Sequence, residues 1–554
     1  MINAPVVIFL YNRPYQTIKT LKNLKLNNNS QNTELIVYSD GYKKNDILDK
    51  KKVEIVRNII KKISGFKSKK IFLRNRNFGL YKNILSGLDS VFKKYDRAII
   101  LEDDILVNKF FINYMNKALE IYKNNYEVSS IHGWMCEHNQ KLPNTFFLRG
   151  SDIWGWATWK RSWIDFNRKP KDLIKKFRKK PELIKKFNLS DSYDYFKILK
   201  KRSLNLNQSW GILWNASNFL KKKYYLNFSK SLCVNIGQDF SGTHSTINQG
   251  YFNQNLSDKK IILSKQDVIE CFEGEKVKSK FFLENYKNNF LKKASNKLMT
   301  KLINKVTLRK KKINYLGPYN VWEDALKNSK GYEDNQILIK VKKNTIISKN
   351  NIYFFERDGS LLKKNTISNN QLYLITSLIN KKKNGLNIVD FGGSLGSSYF
   401  KIKDIIDLNF KNKWNIIEQK LFVKEGNKSL KSSNLLFHNN LNDVKKRIDL
   451  IILSGSLQYM KNPQKILEQI FLKKPEVIFL DRTPVSNKKR NEIYIQKRDI
   501  SSYPSWHFSR NFICKLFKEN NYDLKERFSS EFDHNLSING KEIKFEGYIF
   551  EIKK

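Results

Sequence analysis

Two apolar runs in this chain end abruptly in residues that could hold a ligand. Ala98-Ile99-Ile100-Leu101 runs into Glu102-Asp103-Asp104, and Leu386-Asn387-Ile388-Val389-Asp390 runs into Phe391-Gly392-Gly393-Ser394-Leu395-Gly396. Three carboxylates at a strand end offer hard oxygen ligands, the chemistry by which Mg²⁺ or Mn²⁺ holds and neutralises a diphosphate. Glycines after an Asp let backbone approach a nucleoside cofactor closely. The next apolar run ends in Glu418-Gln419, where a carboxylate can accept both ribose hydroxyls, and a later one ends in Ser454-Gly455-Ser456. Dinucleotide enzymes use similar turns, but this one lacks the full Gly-x-Gly-x-x-Gly pattern and opens with an acid, which favours a methyl donor.

Such residues need strands to aim them. Up to about His244, short apolar runs alternate with helical patterns, which predicts an α/β domain with a mostly parallel sheet. Ligands then bind at the C-terminal strand ends, where Tyr11-Asn12-Arg13, Asp40, Asn75 to Gly79 and Glu102 to Asp104 all fall. The alternation resumes near Gly317. Strands are expected at Leu386–Val389, Asn415–Ile417, Leu450–Leu453 and Val477–Leu480, the last ending in Asp481-Arg482-Thr483-Pro484. Between the halves, Leu283, Tyr286, Phe290, Ala294, Leu298, Leu302 and Val306 recur at helical spacing among lysines, as a connecting or an interfacial membrane helix would. The expected organisation is a domain over 1–255, a basic helical linker over 256–317 and a second α/β domain over 318–554.

A chain of 554 residues is too long for one ordinary core. No apolar run approaches the roughly 20 residues that span a bilayer. Met1 to Leu10 reads as a first strand and not a secretory leader, so a cytoplasmic protein is expected. The four cysteines are scattered, as reduced structural residues are. The formal charge of +52 is carried mainly by Lys in an Asn- and Ile-rich chain, as A/T-rich codons produce. It would still draw the protein to an anionic inner membrane face. Nucleic-acid binding would need grouped basic and aromatic residues in a recognised motif. None is present, and acids at the strand ends oppose phosphate-backbone binding.

Residues 5–244 resemble GT-A-fold glycosyltransferases of the family 2 and N-acetylglucosaminyltransferase I-like group. The resemblance rests on Val7 to Pro14, Asn75 to Gly79, Glu102-Asp103-Asp104, the Trp-rich Arg149 to Arg161, Ser209 to Trp214 and Asn235 to His244. It implies inverting, hexosyltransferase-type transfer from a nucleotide-sugar donor. Tyr11, Asn12, Arg13, Asp40, Asn77, Gly79 and Asp103 would then hold the nucleotide, and Glu102, Asp104 and His244 a divalent ion. Asp152 and Asp239 are candidate general bases, or structural turn residues. Gln208 stands where relatives carry an acid. Trp154, Trp156 and Trp159 would stack on sugars or fill the core.

Residues 318–554 resemble a methyltransferase family found with bacterial surface-polysaccharide genes, through Trp322 to Ala325, Gly331-Tyr332, Glu356-Arg357-Asp358-Gly359, Val389 to Phe400, Glu418-Gln419, Ser456 to Tyr459, Asp481 to Pro484 and Tyr503 to Trp506. The resemblance implies a class I, Rossmann-like domain. S-adenosylmethionine would lie on Asp390, Gly392, Gly393, Ser394, Gly396, Glu418, Gln419 and Ser454. Asp481, and His507 in an expected late loop, are candidate bases toward a sugar hydroxyl. Together the halves suggest a bifunctional enzyme acting on a glycan or lipid-linked glycan in capsule, O-antigen or lipooligosaccharide synthesis. Open alternatives are a glycosyltransferase with an inactive methyltransferase-like scaffold, and a basic nucleic-acid-binding protein.

Overall fold

The computed structural model describes residues 2–150, 153–237, 256, 262–287, 314–329, 335–350, 354–362, 367–382, 384–405, 411–497, 502–531, 533, 536–538 and 541–553. The chain forms two compact α/β units with Rossmann-like sheets, Met1–Leu308 and Arg309–Lys554.

In the first unit, β1 (Val6–Leu10), β2 (Glu34–Ser39), β3 (Ser68–Leu73) and β4 (Arg97–Glu102) lie parallel in the order β3-β2-β1-β4. β1 is wholly buried and β4 nearly so, because helices cover both faces of a parallel sheet and demand continuous apolar runs. β3 closes the edge with lysines and an exposed pattern, a common guard against edge pairing. β5 (Ile105–Val107) leaves this sheet after the acidic turn. The main sheet continues through β6 (Val128–His132), β7 (Thr145–Leu148), β8 (Trp156–Trp159) and β9 (Tyr224–Phe228) in the order β4-β8-β6-β9-β7. β8 runs antiparallel to both β4 and β6. β10 (Cys233–Asn235) pairs with β5 as a separate two-stranded sheet.

The helix Phe272–Phe282 lies within the span read as a connector, yet it packs into the first unit. Cys271 donates its backbone N–H to the Phe147 carbonyl at 2.8 Å, and Val277, Phe281 and Phe282 are buried. The heptad-like residues from Phe290 to Val306 lie outside the described residues.

The second unit has strands β11 (Asn314–Tyr319), β12 (Phe355–Arg357), β13 (Ser360–Leu362), β14 (Asn387–Phe391), β15 (Lys413–Ile417), β16 (Leu435–His438), β17 (Leu450–Ser454), β18 (Val477–Ser486), β19 (Glu492–Lys497), β20 (Ser502–Ser509), β21 (Tyr522–Ser529), β22 (Leu536–Ile538) and β23 (Lys541–Ile552). Its core sheet runs β16-β15-β14-β17-β18, all parallel, then an antiparallel β23 and β21. Strand order reverses at β14, so a crevice opens beyond the C-terminal ends of β14 and β17, the usual ligand position of doubly wound sheets. β18 does not stop at Leu480 as the sequence suggests. It continues to Ser486, with a pairing irregularity at Asp481–Arg482, because β23 and then β20 accept the extension. β20, β19 and β11 build outward from there. His507 therefore sits in a strand and not in a loop. β12 and β13 form a hairpin whose turn residues Asp358 and Gly359 have φ of 50° and 72°, which an Asp-Gly pair accommodates. Among the described residues no helix is long and apolar enough to cross a membrane.

Candidate functional sites

In the first unit the parallel strands deliver their terminal residues to one edge, since Leu10 pairs with Ser39, Ser39 with Leu73 and Phe9 with Glu102. The Arg13 guanidinium bridges two carboxylates there. It hydrogen-bonds both oxygens of Asp103 and lies 2.9 Å from Asp104 Oδ2. Burial pushes the Glu102 carboxyl up to about 8, helped by Asp104 and Asp103. Asp103 rises to about 6 because burial outweighs Arg13. Gly237 closes on this cluster. Ile236 donates its N–H to the Asp104 carbonyl at 2.8 Å, and a Cβ at Gly237 would stand 2.0 Å from Asp104 Oδ2 and 2.6 Å from Arg13 Nη1.

Among the described residues no three His, Cys, Asp or Glu side chains converge to hold a metal, and the cation beside Asp103 and Asp104 is Arg13. His244, Asp152 and Asp239 lie outside the described residues.

Asp40 anchors a loop. Its Oδ1 accepts from Gly41 and Phe78 N–H at 2.8 Å each, and its Oδ2 from Gly79 N–H at 2.9 Å and Asn77 Nδ2 at 3.5 Å. Gly79, with φ of 73°, opens the helix Gly79–Phe92 and faces open space. Tyr11 and Asn12 both donate to Asp49, which also takes the Lys43 N–H at 2.6 Å. Asp49 is a residue that sequence reasoning misses, and it lies in the first turn of the helix Ile47–Lys62. Trp156 and Trp159 are core, with Trp156 packed on Trp210 and Trp214. Trp154 is half-buried and meets Trp134 edge-on at 5.3 Å, so it alone of the three keeps exposed surface. Gln208 is exposed.

In the second unit the turn after β14 is folded tightly around its own acid. A Cβ at Gly393 would stand 2.6 Å from Asp390 Cγ, and one at Gly392 the same distance from Ser456 Cβ. Gly392 and Gly396 have φ of 75° and 85°, and Ser394 follows at 54°. Gly396 packs over Ile416 and Leu435, beneath the turn. The Asp390 carboxylate accepts from Trp414 Nε1 at 3.2 Å, and burial pushes it up to about 7. Glu418, at the end of β15, accepts from Ser394 N–H at 3.1 Å and Gln419 N–H at 3.0 Å, and burial raises it too. Ser454, at the end of β17, pairs in register with Asp481 within β18.

The structure thus brings Asp390, Gly392, Gly393, Ser394 and Glu418 together, and adds Ser456 and Gln458. Ser456 Oγ and Gln458 Oε1 are buried without a hydrogen-bond partner. Orphaned polar atoms beside a glycine cradle fit a nucleoside cofactor that would complete them.

Asp481 is buried and pushed up to about 7 by burial, with its Oδ1 accepting the Arg482 N–H at 2.8 Å. Beside it, Arg482 binds Asp358 Oδ2 at 2.8 Å and Asp533 Oδ2 at 2.9 Å, and Arg357 binds Asp533 Oδ1 at 2.7 Å. This network ties the β12–β13 hairpin to the end of β18. Its sequence signal was the Glu356-Arg357-Asp358-Gly359 segment, which carries no local clue to its partners.

No family model matches the chain, and no curated protein does. Solved structures that resemble part of it include a SAM-dependent methyltransferase from Methanosarcina mazei, at 12% identity and TM-score 0.24, covering 32% of this chain and 96% of that one. A S-adenosylmethionine-dependent methyltransferase from Clostridium acetobutylicum follows at 11% identity and TM-score 0.23, covering 33% and 90%. The N-terminal domain of EvdMO1 with SAH and D-fucose gives 9% identity and TM-score 0.26, covering 40% and 98%. At such identities and TM-scores the likeness decides nothing about activity, and the residues must.

Proposed function

We propose that the second unit binds S-adenosylmethionine and transfers its methyl group to an oxygen of a glycan. The observation that carries this reading is the Asp390–Gly396 turn, packed against Ser456 and hydrogen-bonded to Glu418. The cofactor supplies an electrophilic methyl group. Glu418 would accept the two ribose hydroxyls, and Ser456 and Gln458 would gain the partners they lack. A hydroxyl acceptor must shed a proton as it attacks, and a base is most effective with a pKa near the working pH. Asp481, at about 7, meets that condition.

The first unit, in the same reading, is an inverting glycosyltransferase that takes a nucleotide-sugar donor. Support comes from the strand order, the separate β5–β10 pair and the strand-end cluster of Arg13, Glu102, Asp103 and Asp104. Arg13 supplies the positive charge at that edge. A divalent ion there would require Asp104 to leave Arg13. The two activities would serve one bacterial surface glycan, with a lipid-linked acceptor drawing the basic protein to an anionic membrane face.

Titration calorimetry tests the cofactor reading. S-adenosylhomocysteine should bind the native chain and lose at least tenfold in affinity to Glu418→Gln, while failure of the native chain to bind would overturn it. Thermal shifts with nucleoside diphosphates, with and without Mn²⁺, test the donor reading in the same preparation.

A further inference from the structure

β19 and β20 present one apolar face and one polar face. Ile493, Ile495 and Trp506 pack with Trp322 and Ala325 on the first. Side chains alternate along a strand, so Tyr503, Ser505 and His507 share the other face. They stand opposite Gln496, Tyr494 and Glu492 in register. That face is nonetheless shut away from water, since Tyr494 packs with Ile543 of β23 and Tyr315 and stacks on the His507 ring at 4.4 Å. His507 is 0% exposed and Ser505 1%. The Ser505 hydroxyl and both His507 ring nitrogens have no hydrogen-bond partner. Native structures seldom leave three such atoms unanswered on two adjacent same-face residues, because each is costly to bury without a partner.

The face lies on the cofactor side of the unit. β17 pairs with β18 up to Ser454–Asp481, and β20 pairs with β18 only beyond it, at Val485 and Ser486. The short helical turn Leu457–Tyr459, which follows β17 and Ser456, packs against β20. Tyr459 meets the Tyr503 ring edge-on at 5.0 Å and donates to Gln496 Oε1 at 2.7 Å. The turn that carries Ser456 and Gln458 therefore leads to the face that carries Ser505 and His507. Tyr315, on β11, meets His507 edge-on at 4.9 Å. Tyr315 and Tyr459 are only half-buried, and form its rim.

We propose that this face is the floor of the acceptor subsite, and that it takes an uncharged, hydroxyl-bearing ring such as the pyranose of a glycan, its hydroxyls completing Ser505 and His507 and its C–H faces lying on the tyrosine rings. The inference rests on the methyl-transfer reading and gives it a substrate site. Among the described residues the floor carries no free charge. Lys488 is paired with Glu492, and Tyr494 donates to Glu492 at 3.1 Å. Burial and then Lys488 push His507 down to about 3, so it is a neutral imidazole at physiological pH. Among the described residues the cation that acts on His507, Lys488, is answered by Glu492, so an anionic acceptor gains little there, whereas an alcohol meets lone pairs and a hydroxyl. Amphipathic aromatic rings with a few placed polar groups are the usual composition of such pockets.

Saturation-transfer NMR on the full chain, with S-adenosylhomocysteine present and a panel of methyl glycosides as probes (hexose, 6-deoxyhexose and N-acetylhexosamine), tests it. The native protein should saturate at least one glycoside. Ser505→Ala and His507→Leu should each reduce that signal at least fivefold and leave S-adenosylhomocysteine affinity unchanged. Their melting temperatures should hold or rise, because an apolar group replaces an unpartnered polar one. If S-adenosylhomocysteine binds but no glycoside saturates, or if both variants keep the native signal, the subsite is wrong and the cofactor reading stands. If both variants melt earlier and still saturate, the two residues are core and the proposal fails. If S-adenosylhomocysteine does not bind the native chain, the methyl-transfer reading falls first and takes this proposal with it.

Discussion

Asp40, Asp103 and Asp104 in the first unit, and Asp390 and Glu418 in the second, all stand at the C-terminal edge of a parallel strand, yet they are answered differently. Asp40 accepts from three backbone N–H groups and an amide, and Asp103 and Asp104 share a guanidinium. Asp390 has one long bond from an indole, Glu418 has two backbone donors and remains half-exposed, and Ser456 and Gln458 next to them have unpartnered atoms. One edge is closed by its own cation, and a ligand must compete with Arg13. The other, on the proposed reading, is shaped in advance and lacks only the groups a ligand would bring. Preorganised sites gain affinity by avoiding that competition.

The largest effect that could break this contrast comes from Arg13→Ala. Removing one member of a buried ion pair leaves the other uncompensated, at about 3–5 kcal/mol. Arg13 holds two carboxylates that are each largely buried, so urea unfolding of the first unit should shift by that amount. The same variant frees Asp103 and Asp104. MnCl₂ should therefore raise its melting temperature more than it raises the native one. Equal shifts would mean that Arg13 does not hold those acids away from a cation.

Gly392→Ala asks the same question of the second unit. The new methyl group meets Ser456 at 2.6 Å on a backbone at φ of 75°. Overpacking and strain of this kind cost about 1–3 kcal/mol. S-adenosylhomocysteine affinity should fall by more than tenfold in calorimetry, while nucleoside diphosphate shifts from the first unit stay native. Unchanged affinity would show that the turn is structural.

A third effect is read by pH and acts in both units, since burial raises Glu102 and Asp103 in the first as well. Asp390 and Asp481 are each pushed up to about 7 by burial, whereas an unfolded Asp titrates near about 3.9. Between those values the folded chain keeps protons that the unfolded chain has released, so stability falls as pH rises through that window. Each group contributes up to about 1.4 kcal/mol per pH unit. The second unit should melt lower at pH 8 than at pH 5, and Asp390→Asn should flatten part of that slope. A native slope that persists in full in this variant would mean that Asp390 is not the group responsible.

Much of this contrast could be read from the sequence, because central parallel strands must be apolar throughout. β1, β4, β14 and β17 announce themselves, and so do the residues that follow them. What failed was local punctuation. Asp481-Arg482 and Pro484 look like the end of a strand, yet β18 continues because β23 and β20 pair with it past an irregularity. Pro504 and its serines look like a loop around His507, yet they lie in β20. Arg482 finds Asp358 across 124 residues, and nothing within a short window foretells that. The glycines were legible as a cradle, but what they press against, Asp390 and Ser456, is a tertiary fact.

The smallest effect sharpens the account of the first edge. Tyr11 and Asn12 follow β1 directly, where the resemblance places nucleotide contacts, but both are tied to Asp49. Tyr11 Oη donates to Asp49 Oδ2 at 2.6 Å, and burial followed by Asp49 raises the phenol well above its ordinary range. Tyr11→Phe removes one of three donors to a carboxylate that keeps Asn12 Nδ2 and the Lys43 N–H. A lost hydrogen bond of this type costs about 1 kcal/mol, so the unit should destabilise by about that much in urea. If the ring forms part of the nucleotide platform, its face survives the change and nucleoside diphosphate affinity should fall less than threefold. A much larger loss of affinity at the same small stability cost would mean that the hydroxyl leaves Asp49 to meet the ligand. The first edge would then resemble the second more than its closed ion pairs suggest.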